Sequence, residues 1–236
     1  MKVEKIEYYD DEVLLEGHSV HDDKVAGKKP IILIVHDWSG KNDFACQKAE
    51  KLAELGYVGF AVDMFGKGIN GKTTEEKTAL IQPFMQDRAK LQKRILAAFE
   101  TAKKLAHVES NQIAVIGFCF GGLCALDLAR TGVDIKAAVS FHGLLNPPPT
   151  TNQIKAKVLV LHGFDDPMVP PETTISFCKE MTHAKANWEL NVYGNTKHSF
   201  TNPQSHDINL GLIYDKQADT RSWIAMKEFF KEIFGK

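Results

Sequence analysis

The chain has 236 residues, 44% hydrophobic and 25% charged, a balance that suits one ordinary soluble α/β domain. Its 29 basic residues against 30 acidic ones leave a net charge of −1, too little positive charge for a nucleic-acid partner. Four cysteines, none in a CxxC pair, exclude a disulfide framework and argue against a zinc ribbon or redox motif.

The opening stretch, MKVEKIEYYDDEV, has no apolar core of signal-peptide type, and no apolar run approaches the ~20 residues of a membrane span. A cytoplasmic protein with reduced thiols and no membrane partner is therefore expected. Residues Glu4–Glu7 and Val13–Glu16 alternate apolar and polar and predict an antiparallel edge hairpin. Short apolar strands follow at Ile31–Val35, Tyr57–Val62, Ile113–Ile116, Ala137–Phe141, Val158–Leu161 and Trp188–Val192. Between them the pattern predicts helices: Phe44–Leu55 stopped by Gly56, Phe84–Leu105 started after Pro83, Gly121–Ala129, Pro171–Met181 and Ala218–Phe234. This alternation predicts a single domain over residues 1–236. Its mostly parallel central sheet carries helices on both faces. In such sheets, sites form at the carboxyl ends of the strands.

Strand Ile113–Ile116 runs into Gly117-Phe118-Cys119-Phe120-Gly121-Gly122, a G-x-nucleophile-x-G pattern with cysteine in the place usually held by serine. Glycine is needed there because the nucleophile sits on a strained strand-to-helix turn. The helix N-terminus beside Cys119 favours a thiolate. A buried, inert cysteine in a tight glycine turn is the plainer alternative. A cysteine nucleophile needs an acid and a base, which follow it in that order on this architecture. Asp166 stands after strand Val158–Leu161 and before Pro167, with Asp165 as its rival or as a helix cap. His198 follows the strand after that, in a loop without apolar periodicity. By position, the backbone N–H groups of Trp38 and Phe120 are the oxyanion donors. Asp37 lies beside them; its carboxylate either opposes thiol ionisation or holds the thiol proton until substrate arrives, unless it merely caps the helix near Phe44. A zinc site of His36, His142 and His162 is the weaker reading, because a histidine at a strand end often just bonds backbone. No metal or organic cofactor is expected. Cys46, Cys124 and Cys178 read as buried small hydrophobes on helices.

GFCFGG, GFDDPMVP and KHSF, occurring jointly at these separations, resemble the dienelactone hydrolase family of α/β-hydrolases over nearly the whole chain. The resemblance implies a Cys119, Asp166 and His198 triad and hydrolysis of an ester or lactone through an acyl-cysteine. It also implies that Asp37 stands where the family carries a glutamate coupling thiolate formation to substrate binding. Members that cleave dienelactone hold its carboxylate with arginines, one shortly after the catalytic histidine. Here that stretch is SFTNP, and of four arginines (Arg88, Arg94, Arg130, Arg221) only Arg88 is placed to serve. The segment from Pro203 to Tyr214 and the loop Pro147–Pro149 are expected to form different pocket walls. The expected partner is a small ester or lactone, bound by a monomer or small homo-oligomer. The rival is a binding or sensor protein that kept the pocket and lost the chemistry.

Overall fold

A computed structural model describes residues 1–235. By internal contacts the chain separates into two compact units, Met1–Ile116 and the residues from Gly117 onward. In the first unit, strands β1 (Lys2–Asp10) and β2 (Val13–His21) form the antiparallel hairpin, longer at both ends than the alternation predicts. Next come β3 (Lys29–Val35), α1 (Asp43–Glu54), β4 (Val58–Val62), α2 (Thr74–Gln86), α3 (Arg88–Ala102) and β5 (Val108–Phe118). The strand order of this unit is β1-β2-β4-β3-β5. Strand β4 meets β2 antiparallel and β3 parallel. Every residue of β3 and β4 is buried, which is why these strands read as continuous apolar runs.

The second unit continues with α4 (Phe120–Arg130), β6 (Ala137–Phe141), β7 (Lys157–Gly163), α5 (Pro171–His183), β8 (Asn187–Tyr193), the short strands β9 (His206–Asp207) and β10 (Leu212–Ile213), and α6 (Lys216–Phe234). Strands β6, β7 and β8 pair in parallel in that order. Strand β8 alternates in exposure where β6 is wholly buried, as befits a strand with only one face covered.

One predicted helix is wrong. The stretch Phe84–Leu105 is divided between α2 and α3, and Pro83 lies inside α2 rather than before its start. Helix α2 is capped by Thr73, whose hydroxyl accepts from the Glu76 N–H while the Glu76 carboxylate accepts from the Thr73 N–H. This reciprocal capping box is what the pattern reading passed over. The break falls at Asp87, whose carboxylate accepts from the Lys90 N–H and starts α3. A second correction concerns the minor cysteines: Cys124 is buried, but Cys46 and Cys178 are only half-buried, and none of the four cysteines is in a disulfide.

Two of the four arginines serve the fold. Arg94 donates to the Asp10 carboxylate at 2.7 Å and to the Met64 carbonyl at 2.6 Å in the first unit. Arg130, fully buried at the end of α4, donates to both Glu180 carboxylate oxygens, at 2.9 and 2.7 Å. It also reaches Asp127 and the Leu145 carbonyl, tying α4, α5 and the loop after β6 together. A bidentate guanidinium suits such a junction because its planar fork satisfies several acceptors at once.

Candidate active site

The carboxyl end of β5 turns sharply into α4 at Cys119, which adopts φ 56° and ψ −118°. This left-handed conformation is costly for a residue with a Cβ and is held only when its surroundings demand it. Its neighbours make that demand. A Cβ on Gly117 would lie 1.9 Å from the Gly121 carbonyl oxygen, so no larger residue fits before the turn. A Cβ on Gly122 would stand 2.7 Å from the Gly143 Cα, so α4 can approach the loop after β6 only with glycine at that position. The Cys119 N–H donates to the Phe141 carbonyl at 3.0 Å and to His142 Nδ1 at 3.1 Å. The thiol makes no capping bond to its own helix and is partly exposed.

His142 is itself in the left-handed region, at φ 40°. Its Nε2 shares a 2.8 Å hydrogen bond with Thr201, and its ring stands edge-on to His198 at 5.2 Å. Because Nδ1 accepts from the Cys119 N–H, the ring proton belongs on Nε2, which donates to Thr201. This histidine is no metal ligand here; it is a prop between the cysteine turn and the His198 loop. The strand-end reading anticipated such backbone bonding for its group but not this particular partner.

Asp166, at the end of β7, is buried, whereas Asp165 beside it is exposed. Asp166 Oδ1 accepts from the Met168 N–H at 2.8 Å, which aims Oδ2 at His198 Nδ1, 2.7 Å away. His198 is fully buried. The loop carrying it is braced by the segment from Pro203 to Tyr214, since the Ile213 N–H donates to the His198 carbonyl at 3.0 Å. With Nδ1 committed to Asp166, Nε2 finds no nitrogen or oxygen partner among the described residues and has the Cys119 sulfur as its neighbour. Burial pulls the imidazolium down. The charge of Cys119, the hydrogen bonds His198 donates to Asp166 and Cys119, and the Asp166 charge outweigh it and lift His198 to about 10. The arrangement can hold a proton on the imidazole opposite a thiolate and give it up when that charge is consumed.

His162, one of the three strand-end histidines, feels the charges of this pair: burial lowers its pKa, the Asp166 charge opposes this and the His198 charge adds to it. Phe120 opens α4, directly after Cys119, at the end of the helix where the dipole is positive.

The other predicted site residues lie in the first unit. Asp37 Oδ1 accepts from both the N–H and the hydroxyl of Ser39. Ser39 in turn accepts from Asn42 Nδ2 at 2.8 Å, and Asn42, not Asp37, caps α1 by accepting from the Phe44 N–H. The capping role considered for Asp37 is thus taken by another residue. Trp38 carries the Lys77 ammonium 5.5 Å above its ring. His36 donates from Nδ1 to the Asp37 carbonyl and accepts at Nε2 from the Met64 N–H. Arg88 opens α3, half-buried.

Comparison with known proteins agrees with this architecture. A sequence model described as the dienelactone hydrolase family matches residues 15–234. A crystal structure of a dienelactone hydrolase-like promiscuous phosphotriesterase from metagenomic libraries is 36% identical, covers 98% of both chains and superposes with a TM-score of 0.94. A carboxymethylenebutenolidase homologue of Xenopus tropicalis is 27% identical over 165 residues, 68% of this chain and 65% of that one. A dienelactone hydrolase from Anabaena variabilis, 20% identical and covering 97% of both chains, shares the fold with a TM-score of 0.67.

Proposed function

The chain belongs to the dienelactone hydrolase family, and on that premise we propose that it hydrolyses ester or lactone bonds through acyl transfer to Cys119. The observation that carries this reading is the buried Asp166–His198 pair, bonded at 2.7 Å in the same unit as Cys119 on its strained turn.

In the proposed cycle the Cys119 thiolate attacks the substrate carbonyl carbon, and the carbonyl π electrons move to oxygen. That oxyanion takes hydrogen bonds from the Phe120 N–H and, as the second donor, from the Trp38 N–H. Collapse of the tetrahedral adduct breaks the carbon–oxygen bond, and His198 gives its proton to the departing alkoxide. Neutral His198 then takes a proton from water, whose hydroxide attacks the thioester. The thiolate leaves, the carboxylic acid departs and the resting pair is restored. Asp166 fixes the ring orientation and stabilises the imidazolium throughout. Asp37 is read as the carboxylate that tunes the thiol, and Arg88 as the cation placed to meet a substrate carboxylate. With two arginines committed to the fold, short neutral esters and simple lactones fit better than dicarboxylate-like substrates. The same reading takes residues 1–236 as one hydrolase domain acting in the cytoplasm.

The test is turnover of p-nitrophenyl acetate and of simple lactones by wild type and Cys119→Ala. Loss of turnover in a variant with unchanged circular dichroism is expected; wild-type rates in that variant would overturn the assignment. The 36% identity to a promiscuous phosphotriesterase favours a second reading, in which the same thiolate also attacks activated phosphotriesters. Release of nitrophenol from paraoxon, sensitive to the same substitution, tests it.

A further inference from the structure

At the open end of the β1–β2 hairpin, three potential ligands converge. In the hairpin register Lys2 pairs with His21 and Glu4 with Ser19, so Glu4 and His21 are diagonal neighbours on one face. His107, in the loop between α3 and β5, stacks on His21 with ring centroids 3.9 Å apart. Its own carbonyl accepts from the Lys29 N–H at 3.0 Å, which fixes the loop. One ligand atom from each of Glu4, His21 and His107 lies within 4.8 Å of the other two, and His21 Nδ1 is 3.9 Å from Glu4 Oε2.

Two of those atoms are anomalous as plain structure. His21 is only 5% exposed, yet its Nδ1 is buried without a hydrogen-bond partner, and so is His107 Nε2. Buried polar atoms are rarely left unpaired, and each orphan costs on the order of 1–3 kcal/mol. Two orphaned imidazole nitrogens beside a carboxylate make an arrangement that a cation would satisfy at once.

We propose that Glu4, His21 and His107 bind a divalent transition-metal ion, zinc in the first instance, as a two-histidine, one-carboxylate site. Zinc takes nitrogen and oxygen ligands of these kinds with bonds of ~2.0–2.2 Å, and a fourth position is left for water. A metal needs both imidazoles neutral, and burial acts in that direction on each. Burial lowers His21, with Lys29 and Lys2 adding to it and Glu4 and Asp23 opposing. Burial also lowers His107, with His21, Lys2 and Lys29 adding and Glu4 opposing. Closing the three atoms onto an ion requires the rings to swing out of their stack. It also draws Glu4 from its 3.0 Å ion pair with Lys2. A bound ion would staple the edge hairpin to the loop that feeds β5, a structural role apart from ester hydrolysis.

The experiment is a zinc titration of chelator-treated, full-length protein whose thiols have been alkylated, so that no cysteine competes. Zinc is followed by competition with a chromophoric chelator and by thermal midpoint. One equivalent is expected to bind and to raise the midpoint. His107→Gln and Glu4→Gln should each weaken binding by at least ~10-fold, the least that loss of even a supporting group costs a metal site. Lys2→Gln should tighten it. The metal-free variants are compared by circular dichroism, and Glu4 lies far enough into solvent that its variant keeps the fold if the His107 variant does not. Absence of a stoichiometric zinc equivalent in the wild type, or full affinity in either ligand variant, would overturn the site. Both readouts are independent of hydrolytic activity.

Discussion

The backbone N–H of Cys119 donates to the ring of His142, 3.1 Å away, so the strained turn is held by a residue whose own backbone is strained. The same ring reaches Thr201, two residues beyond Ser199 in the loop that carries His198. One imidazole therefore couples the positions of the cysteine and of the histidine opposite it. A His142→Ala variant loses both bonds and leaves the Thr201 hydroxyl buried and unpaired. We expect a stability loss of about 1–3 kcal/mol and a fall in kcat larger than any rise in KM, since misplacing reacting groups raises the barrier. Urea denaturation and steady-state kinetics measure the two. Unchanged kcat would remove His142 from the positioning role.

Two adjacent aspartates differ only in where their carboxylates go. Asp166 is buried and bonded to His198, whereas Asp165 is exposed. Replacing Asp166 with Asn should lower kcat by on the order of 10³–10⁴-fold, because the amide no longer holds the required tautomer. Asp165→Asn should leave kcat within about twofold, as surface substitutions usually do. Equal losses in the two variants would show that the acid has been misassigned.

His198 titrates at about 10 in the folded chain, against ~6.5 for an unperturbed imidazole. Between those values the folded state holds a proton that the unfolded state has released. The stabilisation is thus fully present below about pH 6.5 and is lost as pH rises through about 10. Wild type should lose more stability between neutral pH and pH ~10 than His198→Gln, which lacks the titrating group. Paired urea curves at the two pH values give the comparison. Parallel losses would mean that the imidazole is not charged at rest.

Arg130 is buried with Asp127 and Glu180 as its acceptors. Arg130→Met takes the guanidinium from the buried Asp127 carboxylate and Leu145 carbonyl and from the half-buried Glu180 carboxylate. Removing one partner of such a network typically costs about 3–5 kcal/mol. The denaturation midpoint should fall accordingly, with ester turnover surviving in the folded fraction. A loss under about 1 kcal/mol would imply that water replaces the guanidinium.

Several elements could be read from residue order alone because their causes are local. The glycines of GFCFGG mark a turn that no residue with a Cβ could make at Gly117, whatever surrounds it. Asp166 could be preferred to Asp165 because Pro167 extends the chain before it. Continuous apolar runs betrayed β3, β4 and β6 because strands covered on both faces need no alternation. Pro83 misled for an equally physical reason: proline is favoured at helix starts, but here the Thr73 capping box had already started the helix ten residues earlier.

What residue order determined about this protein is the turn that presents Cys119 and the succession of acid and histidine behind it. Those features depend on backbone sterics and on strand order, both written locally. Tertiary structure decided which distant side chains share a site: His142 with Cys119 and Thr201, Arg130 with Glu180, and His21 with His107 and Glu4. These groupings depend on pairing register and on loop anchors such as the Lys29–His107 bond. No periodicity in the chain encodes them, because what brings their members together is the burial of other residues.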